Sequence, residues 1–454
     1  MDSKKNEYSY TTLSDSASDE RYNCGNTAVF KTESAANENT VLLTGAKNDG
    51  LELPDVSRGA WISLVGATCG MLTTFGYVVV IGIFQEYYQA NQLINYSPSE
   101  ISWITSMEVF LTIFLAAFVG SAYDVLGPKP LIIPGTILMT LGIMLTSIST
   151  QYYQFMLTQG VLTAVGGALI FHACAPAISS WFDKYRATAL GIGNAGSALG
   201  GVFIPVIFRQ VVDYAGFGWA VRAIAFVLLG LSAVSCALTT SRLPPPGLQK
   251  IDFYKSYVAP FKQLPFLFTA IGVFVVYWGV FIPMNYIPSH AVSKGVSPDL
   301  ASYLISILNA VSIFGRVIPG MFADRFGRFN SYFLCCFISG LLTLAIWIPS
   351  NGVGVIILYA ALYGFFSGAA VSVWHSVIAD ISPSEEIGAR LGTVNSFMSF
   401  ATLSGGPIAG AIISDNNGEY WGAATFAGVV MIIGSLFILA GKLSHTHGDL
   451  WAFK

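Results

Sequence analysis

A few ionisable side chains interrupt the long apolar stretches of this chain, and these residues could bind or exchange ions. Arg316 stays charged at any relevant pH and can hold a carboxylate through two parallel hydrogen bonds. It could instead extend to the end of its apolar stretch or pair with a neighbour. Glu108 could carry a proton or pair with another helix. His172 and His375 could donate to a ligand or simply be hydrogen-bonded within the protein.

Aromatic and amide side chains in the same stretches offer a way to bind a planar organic molecule. Indole and phenol rings can stack on a flat compound, and amides can hydrogen-bond to it. Such side chains also serve as packing or as a belt at a membrane interface. The predicted substrate-binding residues are Arg316, His172, His375, Trp374, Tyr277, Asn285 and Asn309, with Glu108 as the candidate for proton coupling.

The elements that carry these residues are long enough to cross a membrane. The 454 residues are 54% hydrophobic and 10% charged, with a mean hydropathy of +0.63, whereas soluble domains carry about 25% charged residues. A lipid bilayer accepts the apolar surface that water would not. No segment shows the alternation of a β-barrel, so we expect an all-α membrane protein. Twelve spans are predicted, at residues 59–84, 101–122, 130–149, 154–180, 188–209, 219–241, 265–288, 300–322, 331–349, 353–379, 391–413 and 421–441.

The two halves of the chain repeat each other. A loop with two glycines, an aspartate and basic residues follows the second and the eighth span, as Gly120-x-x-x-Asp124-x-x-Gly127-x-Lys129 and Gly320-x-x-x-Asp324-Arg325-x-Gly327-Arg328. A Leu-Gly-x-x-Asn motif begins at Leu190 and again at Leu391, an offset of 201 residues against 200 for the aspartates. The repeat predicts two six-helix pseudo-repeats with the substrate site between them.

This repeat and the polar stretches divide the chain into five parts. We expect a disordered cytoplasmic tail at 1–52, a six-helix bundle at 53–241, a cytoplasmic linker at 242–264, a second bundle at 265–441 and a cytoplasmic tail at 442–454. With the N-terminus inside, twelve basic residues of the loops and ends lie inside, and two, Arg209 and Lys294, lie outside. This bias predicts that both termini are cytoplasmic. The plasma membrane is the default location.

The paired loops resemble the cytoplasmic signature of the major facilitator superfamily, which implies the major facilitator fold. An acid and basic residues at a tight glycine turn could form a latch that holds one access state, although these charges could also serve only to fix the topology. The predicted latch residues are Asp124, Lys129, Asp324, Arg325 and Arg328.

A second resemblance is narrower. The segment Trp181–Ser197, together with Phe281-Ile282-Pro283 and Phe314-Gly315-Arg316, resembles the monocarboxylate porter family, in particular its fungal branch. The resemblance implies that Arg316 lines the cavity and meets an anionic substrate. It also shows departures, because Ser312 stands where animal members have an aspartate and no lysine lies in the first span. These departures argue against proton coupling and against lactate-like substrates.

The expected function is secondary transport of a small organic anion, such as a monocarboxylate, by alternating access. The alternatives are a facilitator or exporter of a larger organic compound, such as a vitamin or secondary metabolite, without proton coupling, and a non-transporting nutrient sensor. The net charge of −3 and the lack of a long basic run argue against nucleic acid. We expect no enzyme activity, cofactor or metal, because no nucleophile elbow, HExxH or P-loop occurs. The expected partners are the solute, the bilayer and H+ in the symport case, with a monomeric transport unit.

Overall fold

A computed structural model describes residues 57–242, 254–446 and 448–449. Within these ranges the regular elements are helices, and no strand occurs, which confirms the predicted all-α class. The predicted tail at 1–52 lies outside the described residues. So do residues 243–253 of the predicted linker and residues 447 and 450–454 of the predicted C-terminal tail. The boundaries of the five predicted parts therefore stay predictions.

The helices follow the predicted order of spans, and several spans contain a short break or a π-helical segment. Spans one to four are Arg58–Val78 with Ile81–Tyr87, Pro98–Phe114 with Ala116–Leu126, Lys129–Thr146, and Tyr152–Phe155 with Met156–Thr163 and Ala164–Trp181. Spans five and six lie in the stretch Arg186–Leu238, two helices that meet at a kink at Gly216. Spans seven to twelve are Leu264–Ser293, Pro298–Phe326, Arg328–Leu342 with Thr343–Trp347, Val353–Asp380, Ile387–Asp415 and Trp421–His445.

Spans five and six are two helices, as predicted, but a kink at one residue joins them where a longer loop was expected. Arg186–Leu238 has 53 residues, with non-helical dihedral angles at Gly216 (φ 77°, ψ 175°). The Phe208 and Phe217 rings, on the two sides of Gly216, lie 6.2 Å apart, so the chain reverses there and spans five and six cross the membrane separately. Eleven helices of the described residues are long and apolar enough to cross a membrane, and dividing this one at Gly216 gives the twelve expected spans. Arg209, predicted in an outer loop, lies within the helix and is exposed.

The two signature loops are tight because a glycine ends the preceding helix in each. Gly127 has φ 77° and Gly327 has φ 93°, a region that residues with a Cβ atom rarely adopt. The next span begins at Lys129 in the first loop and at Arg328 in the second. Each turn therefore brings the end of one span and the start of the next to the same end of the molecule, together with Asp124 or Asp324. We call this the latch end.

Buried apolar residues form two cores. One belongs to spans one to six and the other is drawn mainly from spans seven to twelve. We call these sets of spans the N-terminal and C-terminal bundles. Small residues allow the bundles to approach each other closely. A Cβ atom at Gly120 would overlap the Gly388 carbonyl oxygen, and one at Gly191 would overlap that of Arg316. Spans two and eleven, and spans five and eight, therefore meet backbone to backbone, as in other tightly packed membrane helices.

Candidate functional site

Six of the predicted substrate-binding residues are buried, and all six lie where the two bundles meet or close beside that interface. Their exposed fractions range from 1% for Trp374 to 7% for Asn309. Arg316 comes from span eight, Tyr277 from span seven and His172 from span four. We call Phe171, His172, Tyr277, Arg316, Trp374 and His375 the central cluster.

Arg316 links the two bundles directly. Its Nη1 donates to the backbone carbonyl oxygen of Asn194 at 2.6 Å and to Ser197 Oγ at 2.5 Å, both in span five. Its Nε has no hydrogen-bond partner among the described residues. The side chain is only 5% exposed, and none of the ion pairs between described residues includes it. A buried guanidinium without a carboxylate is costly, so an anion would be a favourable partner.

Aromatic rings surround the region beside Arg316. The Trp374 and His375 rings stack with centroids 3.9 Å apart and planes inclined by 30°. Trp374 Nε1 donates to Tyr277 Oη at 3.0 Å, and Tyr277 lies within electrostatic reach of Arg316. Across the interface, the Phe171 ring lies 6.5 Å from that of His375. Flat apolar faces and polar ring atoms therefore occur together, as expected where a planar organic compound binds.

The two histidines have different hydrogen-bonding roles. His172 Nε2 lies 2.8 Å from the Thr112 carbonyl oxygen, and since a carbonyl only accepts, Nε2 carries the hydrogen. His375 Nδ1 likewise faces the Ser372 carbonyl oxygen at 3.3 Å. In the neutral ring this leaves His375 Nε2 as an acceptor, and it has no partner among the described residues. His375 could therefore accept a hydrogen bond from a ligand hydroxyl group.

The remaining predicted site residues lie apart from the central cluster. Asn309 is buried and its amide nitrogen faces Gly201 of span five, so it lies at the bundle interface. Asn285 is exposed and lies about 12 Å along span seven from Tyr277. Glu108 faces Gln159 of span four inside the N-terminal bundle. The structure thus places the proton-coupling candidate in a different environment from the predicted substrate ligands.

At the latch end, two aspartates each cap a helix of the opposite bundle. Asp124 accepts hydrogen bonds from the backbone N–H groups of Gly388 and Ala389, at 2.9 and 2.7 Å, at the start of span eleven. Asp324 accepts the equivalent pair at the start of span five, at 2.9 and 2.8 Å. The N-cap residues of these two helices make no side-chain capping bond. Each carboxylate therefore satisfies free N–H groups and the positive end of a helix dipole.

The seam at Asp324 also has a network of ion pairs between described residues. Arg328 pairs with Asp324 at 3.3 Å and with Asp380, and Arg186 reaches Asp380 at 3.2 Å from the other bundle. The sequence pattern identified Asp324 and Arg328 but not Arg186 or Asp380, which lie outside the repeated loops. The other two predicted basic latch residues, Lys129 and Arg325, are exposed and form no ion pair with a described residue.

Replacing Asp324 with asparagine is expected to weaken closure of the latch end. The change removes the negative charge that faces Arg328 and the start of span five. A capping interaction contributes roughly 0.5–2 kcal/mol, so the population of the closed conformation relative to the open one should fall by up to about thirtyfold. Pulsed electron spin resonance between labels on the two bundles would measure this. Asp415→Asn, at an exposed acid outside the latch, is the control, and an unchanged distance distribution in D324N would contradict the latch.

The sequence is similar to those of known membrane transporters. The sequence profile of the Major Facilitator Superfamily matches residues 64–352 and 269–448 of the chain. The chain belongs to this superfamily. The MFS transporter asaE of Aspergillus flavus is 41% identical over 393 residues, which are 87% of this chain and 89% of that protein. The fujikurins efflux protein of Gibberella fujikuroi is 38% identical over 398 residues, which are 87% of this chain and 85% of that protein.

Solved structures support the same fold. The Major Facilitator Superfamily transporter FucP, in the outward conformation, superposes with a TM-score of 0.66 at 16% identity, over 84% of this chain and 99% of that one. This protein is thus an integral, multi-pass membrane transporter that carries small solutes across a membrane.

Proposed function

We propose that this transporter exports an organic anion larger than a simple monocarboxylate, such as a secondary metabolite, and that the anion binds at the central cluster. The observation that carries the proposal is the position of Arg316. It is buried, it has no carboxylate partner among the described residues, and it joins the bundles through Asn194 and Ser197. An incoming anion would compete for the guanidinium and weaken this link, so binding and movement of the bundles would be coupled.

The size and shape of the cargo are inferred from the groups near Arg316. The stacked Trp374–His375 pair, Tyr277 and the opposing Phe171 offer more aromatic surface than a two- or three-carbon acid can cover. Arg316 would bind the acidic group, and His375 Nε2 would accept from a hydroxyl group of the cargo. Export, rather than uptake, is favoured because similar proteins include the fujikurins efflux protein.

A simple monocarboxylate remains the second candidate. It follows from the resemblance to the monocarboxylate porter family, which we propose as the nearest branch within the superfamily. Ser312 weakens it, because the position that holds an acid in animal members is here a buried serine whose Oγ has no partner among the described residues. The larger anion therefore accounts better for the central cluster.

Alternating access would proceed by opening and closing the latch end. We propose that this end faces the cytoplasm, with both termini inside, because basic residues are in excess there, and we take the plasma membrane as the location. Cargo from the cytoplasm would enter while the Asp124 and Asp324 caps are broken. The caps would re-form before release on the other side. We expect a monomer to be sufficient, since both seams lie within one chain.

A counterflow experiment would test the proposed cargo. The purified protein would be reconstituted in liposomes preloaded with a candidate, and entry of the labelled candidate would be followed. The panel would hold lactate, pyruvate, larger planar acids and, separately, fujikurins. We expect counterflow with a larger acid and not with lactate. Counterflow with lactate, accompanied by proton flux, would instead support the monocarboxylate symporter.

A further inference from the structure

A second group of polar side chains is buried within the N-terminal bundle, away from the substrate residues. It consists of Tyr77, Tyr88, Glu108 and Gln159, which we call the Glu108 cluster. Each is at most 1% exposed. Tyr88 Oη donates to Gln159 Oε1 at 2.6 Å, Glu108 faces Gln159, and both tyrosine hydroxyls lie within electrostatic reach of Glu108.

The cluster contains no basic residue. The ion pairs between described residues involve Asp183, Asp324, Asp380 and Glu386, and none involves Glu108. Among the described residues, the titratable groups near Glu108 are Tyr77 and Tyr88, which are neutral at physiological pH. An ionised carboxylate in such a place would cost several kcal/mol, and a buried carboxyl avoids this cost by taking up a proton.

Hydrogen bonding also favours the neutral acid. Glu108 Oε2, Gln159 Nε2 and Tyr77 Oη have no partners among the described residues. Because Gln159 Oε1 already accepts from Tyr88, its amide nitrogen needs an acceptor, which the carbonyl oxygen of a carboxylic acid can supply. The acid's O–H group in turn needs an acceptor such as Tyr77 Oη. A carboxylic acid can thus both donate and accept in this cluster, whereas a carboxylate could only accept.

The backbone and the surrounding rings mark the cluster as unusual. Gln159 lies in the π-helical segment Met156–Thr163, and Tyr88 begins another at Tyr88–Gln92. Short π-helical segments occur frequently at functional sites. The rings of Phe84 and Phe155 lie 5.3 Å and 4.4 Å from those of Tyr77 and Tyr88, which makes the surroundings apolar.

We propose that the Glu108 cluster is a proton-binding site and that it is occupied in this conformation, with Glu108 as the neutral acid. Release would transfer the carboxyl proton to water when a rearrangement of the helices admits it, which leaves the carboxylate behind. The distinct location separates proton binding from cargo binding at Arg316.

Span two connects this site with the central cluster. Thr112 follows Glu108 by one helical turn, about 6 Å along the axis, and its carbonyl oxygen accepts from His172 Nε2 at 2.8 Å. A shift of span two on loss of the proton would therefore move a contact of the central cluster. This coupling step rests on the proposed function, whereas the protonation of Glu108 does not.

Infrared difference spectroscopy on the full chain in lipid nanodiscs tests the proton site without any cargo. At neutral pH, the wild-type spectrum minus that of Glu108→Gln should show the C=O band of a protonated carboxyl group, shifted in D₂O. Glu86→Gln, at an exposed acid, is the control. The wild-type spectrum minus that of Glu86→Gln should lack this band, because both proteins keep Glu108. Tyr88→Phe should keep the band but change its frequency, which preserves the test if Glu108→Gln does not fold.

Two outcomes would overturn the proposal. Carboxylate bands in place of the C=O band would show that Glu108 is ionised. Loss of the C=O band when the potassium chloride of the buffer is replaced by sodium chloride would show that the cluster binds a sodium ion instead of a proton. Because no cargo is present, either result would leave the proposed export of an organic anion standing.

Discussion

Replacing Arg316 with alanine is expected to reduce cargo affinity by at least tenfold. A hydrogen bond to a charged group contributes about 1.5–3 kcal/mol, and each 1.4 kcal/mol corresponds to a factor of ten in affinity. The guanidinium is the one cation of the central cluster, so no neighbouring group in that cluster can take its place. Isothermal titration calorimetry with the larger acid that shows counterflow would measure the loss.

Arg316→Lys is the matched variant for this measurement. Lysine keeps the positive charge but cannot form two parallel hydrogen bonds with a carboxylate, so we expect an intermediate affinity. Equal affinity of the wild type and Arg316→Ala would contradict the role of Arg316 as the anion ligand. A loss of affinity in Arg316→Ala with full recovery in Arg316→Lys would show that charge alone is required.

Replacing Gly120 with alanine is expected to prevent full closure of the latch end. The added Cβ atom would overlap the backbone carbonyl of Gly388 in span eleven, and a backbone group cannot move away as a flexible side chain can. The Asp124 cap at Gly388 and Ala389 would then be lost as well. Transport should fall to a few per cent of the wild-type rate, because a closed latch end is needed in each cycle.

Spin labels at Lys129 and Glu385 would measure this effect, since both positions are exposed near the latch end. They would be introduced as cysteines after the native cysteines have been replaced. The distance between labels should increase in Gly120→Ala and remain unchanged in Gly230→Ala, because an added Cβ atom at Gly230 meets no neighbour within 4 Å. A wild-type distance with normal transport in Gly120→Ala would contradict the close approach of spans two and eleven.

The helical fold could be predicted from the sequence because its causes are local. Each span is a continuous apolar stretch, and the motifs at Gly120 and Gly320 indicated the duplication. The tightness of the turn between spans five and six could not be predicted, because Gly216 and its neighbours also fit a longer loop. In the structure the chain stays helical on both sides of that single residue.

The functional sites could be predicted only in part. Ionisable residues in apolar stretches are rare enough to stand out, which identified Arg316 and Glu108. The pattern could not show that Asp124 and Asp324 cap helices of the opposite bundle, because the N–H groups involved belong to the backbone. Nor could it identify Asp380 as the partner of Arg186. Both features depend on which spans meet in three dimensions.

Counterflow by the wild type and Arg316→Ala, measured side by side, tests the central claim that an organic anion is carried through the central cluster. Liposomes with equal amounts of each protein would be preloaded with the same larger planar acid. We predict that the wild type accumulates labelled acid transiently and that Arg316→Ala does not. Equal accumulation by both proteins would show that the anion crosses without Arg316 and would contradict the account.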